Sequence, residues 1–156
     1  MGDGFWMRRA TDAIAAAAEA LFPPNDRGAP DWLSADMVRR TRRWLSELPP
    51  ESRRLVTLLF VATELAAPLL MPALGRFSRT SPRRRLRAMQ RWCDSRFAPL
   101  RFFGTALEST MKMMYLSHPD SMRYVGVYKT TAHPDDPLQV EVRPDALSAR
   151  TPAGSP

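Results

Sequence analysis

Apolar residues return every three or four positions along most of the chain, and prolines cut that rhythm into segments. The first segment, residues 5–22, is alanine-rich, with Ile14, Leu21 and Phe22 giving a modest apolar face before Pro23-Pro24 stops it. Residues 25–30 (NDRGAP) carry turn chemistry and predict a loop. Ser34 reads as the N-cap of a second helix over 35–48, with Asp36 favourable in its first turn. Met37, Val38, Thr41, Trp44, Leu45 and Leu48 share one side of it, while Arg39, Arg40, Arg42 and Arg43 fall largely on the other.

Residues 51–67 form the most apolar helix. From Leu55 to Leu65 it is hydrophobic nearly all round, the pattern of a helix enclosed by others. Pro68 is expected to kink or end it, with Pro72 and Gly75 finishing the segment. Carried on to Leu74, the run reaches the length a bilayer core requires. Glu64 sits near its middle, however, where a carboxylate is costly in lipid, so a buried central helix ending near Pro68 is the better account.

Ser81-Pro82 places a cap residue before a proline suited to the first helical position, predicting a helix to Cys93 or Asp94. Its inward set is Leu86, Met89, Trp92 and Cys93; Arg83, Arg84, Arg85, Arg87 and Arg91 take the remaining surface. Ala98-Pro99 opens a fifth helix to Leu116 with the apolar set Leu100, Phe103, Leu107, Met111, Met114 and Tyr115. A short helix over 120–125, ended by Gly126, follows Ser117-His118-Pro119. The predicted fold is all-α: a compact bundle of five to six helices over residues 1–129. Residues 130–156 are polar and proline-punctuated, and predict an extended or disordered arm, free or laid on a partner.

Charge changes this picture more than composition does. There are 23 basic residues against 16 acidic ones, a formal net charge of +7, and only Lys112 and Lys129 are lysines. Arginine makes forked, weakly hydrated contacts that suit carboxylates, phosphates and interfaces, although solvated helix faces are the plainer use for many of them. Arg83-Arg84-Arg85 is the strongest nucleic-acid candidate, but it lacks interleaved aromatics and a recognition-helix spacing. Cys93 is the lone cysteine, which excludes an intramolecular disulfide and a thiolate zinc site. No glycine-rich phosphate loop or nucleophile elbow is present. Glu64 is the one carboxylate set in an apolar helix, and pairing with an arginine is favoured over a catalytic role. Arg8-Arg9 is followed by Asp12 and Glu19 rather than by an apolar core with a cleavage site, so no export signal is read there.

From Glu64 to Lys129 the chain presents an ordered set of short runs. Glu64 in its apolar helix precedes Gly75-Arg76-Phe77-Ser78-Arg79, then Arg91-Trp92-Cys93-Asp94-Ser95-Arg96 and Pro99-Leu100-Arg101. Met113-Met114-Tyr115, Ser117-His118-Pro119 and Tyr124-Val125-Gly126-Val127-Tyr128 complete it. This order resembles the small-subunit family typified by gluconate 2-dehydrogenase subunit 3 and the gamma subunit of bacterial FAD-dependent glucose dehydrogenase. It is most similar to the helical module of sterol and long-chain alcohol dehydrogenases of the glucose–methanol–choline class.

The resemblance implies a non-catalytic accessory subunit that stabilises and assembles a flavoprotein large subunit. FAD and alcohol oxidation would belong to that partner, with an electron-transfer protein possible beyond it; no cofactor or metal is expected in this chain. On that expectation the partner surface is built from Arg76, Phe77, Trp92, Arg96, Arg101, Tyr115 and Tyr128. Many members of the family carry a twin-arginine signal; this chain departs from that pattern, and a cytoplasmic or peripheral membrane location is expected. The alternative is a free-standing basic helical protein that binds nucleic acid or regulates.

Overall fold

A computed structural model describes residues 3–70 and 75–126, and among these every regular element is helical, with no strand. The helices are α1 (Asp3–Leu21), α2 (Met37–Glu47), α3 (Pro50–Leu70), α4 (Pro82–Cys93), α5 (Ala98–Leu116) and α6 (Pro119–Val125). A 3₁₀ turn, Phe77–Arg79, precedes α4. The expected all-α fold is present; the proposed arm over 130–156 lies outside the described residues. No helix among the described residues is long and apolar enough to cross a membrane.

Local punctuation sets most helix ends. Pro82, Pro99 and Pro119 each stand in a first turn, where a missing N–H costs nothing, and Gly126 closes α6 with a φ of 76°. Two boundaries differ from expectation. Ser34 does not cap α2. Its amide and hydroxyl both donate to the Asp31 carboxylate, each at 2.7 Å, and the Asp31 carbonyl accepts from Ala35. The charged acceptor three residues earlier captures Ser34, and its carboxyl is held below the usual carboxylate range by the Ser34 amide. The chain therefore makes a turn first, passes through Asp36 in a left-handed conformation, and starts α2 at Met37. Likewise α3 runs through Pro68 to Leu70. Pro68 removes one backbone hydrogen bond, and it does so only two residues from the helix end.

The central helix is α1, not α3. It packs against α2, α3, α4, α5 and the 3₁₀ turn, and Ala10, Ala13, Ile14, Ala17 and Ala18 are wholly buried. Methyl side chains let neighbouring helices approach on several sides at once. By contrast, α3 buries Phe60 and Val61 but leaves Leu55, Leu58 and Leu65 exposed, so it is not enclosed as its hydropathy suggests.

The expected inner faces of α2 and α5 are those observed, and that of α4 is observed in part, since Leu86 and Cys93 are half-buried while Arg85 and Ala88 lie inside. Met37, Thr41 and Leu45 of α2 are buried, as are Met89 and Trp92 of α4 and Leu107, Met111, Met114 and Tyr115 of α5. Gly104 lets α5 lie directly on α4: a Cβ there would stand 2.8 Å from the Cys93 amide nitrogen and from the Trp92 Cβ. Phe103 meets the Trp92 ring edge-on at 5.5 Å, and Phe77 stacks on it at 5.9 Å.

A polar chain crosses this core. Glu64 is fully buried and accepts from the Ser78 amide at 2.9 Å and the Ser78 hydroxyl at 2.5 Å. Its partner is thus Ser78 rather than the expected arginine. Arg85 stands one step further on, donating to the Ser78 carbonyl at 3.0 Å, the Ala16 carbonyl at 3.1 Å and the Glu19 carboxylate at 2.5 Å. Arg85 is therefore a buried residue and not part of the arginine surface. Together these bonds tie α3, the 3₁₀ turn, α4 and α1, and they meet most of the hydrogen-bonding demand of two buried polar side chains, with Arg85 Nε left unbonded.

Candidate docking surface

The seven residues proposed for a partner surface divide by burial. Arg76, Arg96 and Arg101 are exposed. Phe77, Trp92 and Tyr115 are buried and do not form part of a surface. Phe77 and Trp92 fill the space between the 3₁₀ turn, α4 and α5. Tyr115 stacks on Phe22 at 4.0 Å and donates its hydroxyl to the Pro30 carbonyl at 2.7 Å, pinning the first loop to α5. Their large apolar areas are worth more inside the bundle than at its rim. Tyr128 lies outside the described residues.

Several other residues in the ordered motif set also have architectural roles. Ser117 receives the Arg40 guanidinium on both its carbonyl, at 2.6 Å, and its hydroxyl, at 2.8 Å. His118 accepts the Asp120 amide on Nδ1 at 3.3 Å and caps α6. No protein-family model, curated protein or solved structure matches this chain. The placement of side chains therefore bears the weight of the functional reading.

The surface the sequence pattern did not single out is the outer side of α5. Phe102, Met113 and Leu116 stand exposed at positions that repeat with the helical turn, and Phe97 is exposed just ahead of the N-terminus of α5. Phe102 is the most exposed large apolar residue described, at 77 %. The signal was a second apolar series interleaved with the inward set; Phe102 and Phe103 are adjacent, so they necessarily point in different directions. Arg96 and Arg101 border this stripe in the chain, and Arg101 donates to the Ser95 carbonyl at 3.4 Å.

A strongly cationic face lies on α4. Arg83, Arg84, Arg87 and Arg91 are exposed along α4, with Arg76 and Arg79 on the preceding turn, and none forms an ion pair among the described residues. At the α4–α5 seam, Cys93 donates its thiol to Glu108 at 3.2 Å, and Glu108 pairs with Lys112 at 2.5 Å. Partial burial, then the Glu108 carboxylate, push the Cys93 thiol up to about 11. It stays protonated at neutral pH and is a poor nucleophile. Among the described residues, no group of three or more His, Cys, Asp or Glu side chains could hold a metal.

Proposed function

We propose that this chain is a non-catalytic accessory subunit that docks on, and stabilises, the large subunit of an FAD-dependent alcohol dehydrogenase of the glucose–methanol–choline class. The observation that carries the reading is the outer face of α5, where Phe102, Met113 and Leu116 are exposed on one side of the helix, with Phe97, Arg96 and Arg101 exposed at its N-terminal end. An apolar centre with arginine at its edge is the composition of a protein interface. The resemblance of residues 64–129 to the small subunits of that class supplies the identity of the partner. FAD and the alcohol substrate belong to the large subunit, and the pairing of α4 arginines with acidic groups on its surface orients the complex.

The test is a native pull-down of the tagged chain, with the eluate scanned from 350 to 500 nm. A flavin spectrum with a co-eluting large chain is expected, and Phe102→Asp combined with Arg101→Glu should abolish it while the circular dichroism of the isolated chain is retained. A colourless eluate carrying nucleic acid, with affinity that falls steeply as salt rises, would replace this reading with the basic-binder alternative.

A further inference from the structure

A second apolar surface lies ahead of the segment used above, on α1 and α3. Leu55 is 69 % exposed, Leu58 60 %, Phe5 50 % and Trp6 47 %. Phe5 and Trp6 meet edge-to-face at 5.6 Å in the first turns of α1. Trp6 and Leu58 line one open groove with Arg53 and Arg54; Met7 and Arg53 continue into a second groove whose walls are Arg39, Arg42 and Arg43. Through Trp6, Leu58, Met7 and Arg53 the apolar ridge therefore adjoins the cationic wall. Along these grooves Arg42 and Arg54 are exposed and have no ion-pair partner among the described residues.

We propose that this surface is a peripheral docking site for an anionic lipid bilayer. Three features select lipid as the occupant. The leucines and aromatics project from two helices as a ridge, so they can enter an acyl boundary without needing a partner of matching shape. Arginines flank the ridge, where their guanidinium groups reach phosphate headgroups while their stems stay with the apolar side chains. Asp36 and Glu47 pair with Arg39 and Arg43, which leaves Arg42 and Arg54 against the single carboxylate of Glu51, so the unpaired charge on this face is net positive. The site does not rest on the flavoprotein reading, because it shares no residue with the α5 stripe and its test needs no partner protein.

The experiment is sedimentation of the full chain with vesicles of phosphatidylcholine alone and with about one-third phosphatidylglycerol. Binding to the anionic vesicles should be at least about tenfold tighter. Leu55→Glu with Leu58→Glu should weaken it by about tenfold or more, with circular dichroism unchanged because both positions are exposed. Arg42→Ala with Arg54→Ala should weaken it less and flatten its dependence on salt. Binding that survives the leucine replacements and vanishes in salt would overturn the proposal, since charge alone would then explain it. Failure to bind either vesicle would overturn it too; a dimer lost in the leucine variant would then give this face to a second copy of the chain.

Discussion

Helices α3 and α4 each bury one charged side chain, and they do so in opposite settings. In α4 the arrangement is regular: Met89 and Trp92 face inward, most arginines face outward, and Arg85 turns in to reach three acceptors on α1 and the 3₁₀ turn. In α3 it is reversed. Glu64 occupies the inner face while Leu55, Leu58 and Leu65 face out. A buried charge on an amphipathic helix is an anchor within the bundle. On α3 the carboxylate stands inside the core and three leucines stand outside it among the described residues, so hydropathy and burial part company there.

The contrast can be broken most severely at Glu64. Glu64→Ala would strand the Ser78 amide and hydroxyl and open a cavity, for a loss of roughly 4 kcal/mol in denaturant unfolding. Glu64→Gln, which keeps an acceptor, should cost about half as much. A loss under 1 kcal/mol for the alanine variant would mean that the inner face of α3 does not depend on its carboxylate. The regular half can be tested at the α4–α5 crossing. There Gly104→Ala forces backbone apart at Trp92 and Cys93 and should lower stability by about 3 kcal/mol, read as a shift in thermal midpoint. The smallest effect is expected where hydropathy alone would forecast a large one: Leu58→Ser should change stability by less than about 0.5 kcal/mol. A cost of 2 kcal/mol or more there, roughly the value of a core leucine, would show that the leucine ridge is covered from within the chain.

These contrasts also mark which features of the fold were legible in the sequence. Pro82, Pro99, Pro119 and Gly126 announce helix ends because their effect is local, and the stripes of α2, α4 and α5 are legible because polar and apolar residues there segregate. Centrality was not legible. Alanine in α1 has little hydropathy yet fits a crowded axis, and leucine in α3 has much hydropathy yet lies outside. Arg85, unlike Arg84, stands at helical spacing from Ala88, Met89 and Trp92 on the buried face of α4, and what the pattern does not reveal is that Ala16, Glu19 and Ser78 offer it acceptors there. The candidate site divides in the same way. Arg76, Arg96 and Arg101 are on the surface as expected, but Phe77, Trp92 and Tyr115 are buried because an aromatic on an apolar helix face is used first for packing. Phe102 was missed because Phe103, its neighbour, already accounted for the inward face.

The alanine composition of α1 has a consequence for how the chain is made. During synthesis α1 leaves the ribosome before any of the helices that will surround it. Alanine has the highest helical propensity, so this segment can begin to coil while it waits. Its short side chains also offer incoming or foreign chains little apolar area to grip. A leucine-rich helix in the same central role would have to remain unsatisfied through the translation of α2 to α5. With its leucines on α3 and alanines at the axis, the chain begins with a central helix that offers other chains little apolar area over its buried stretch.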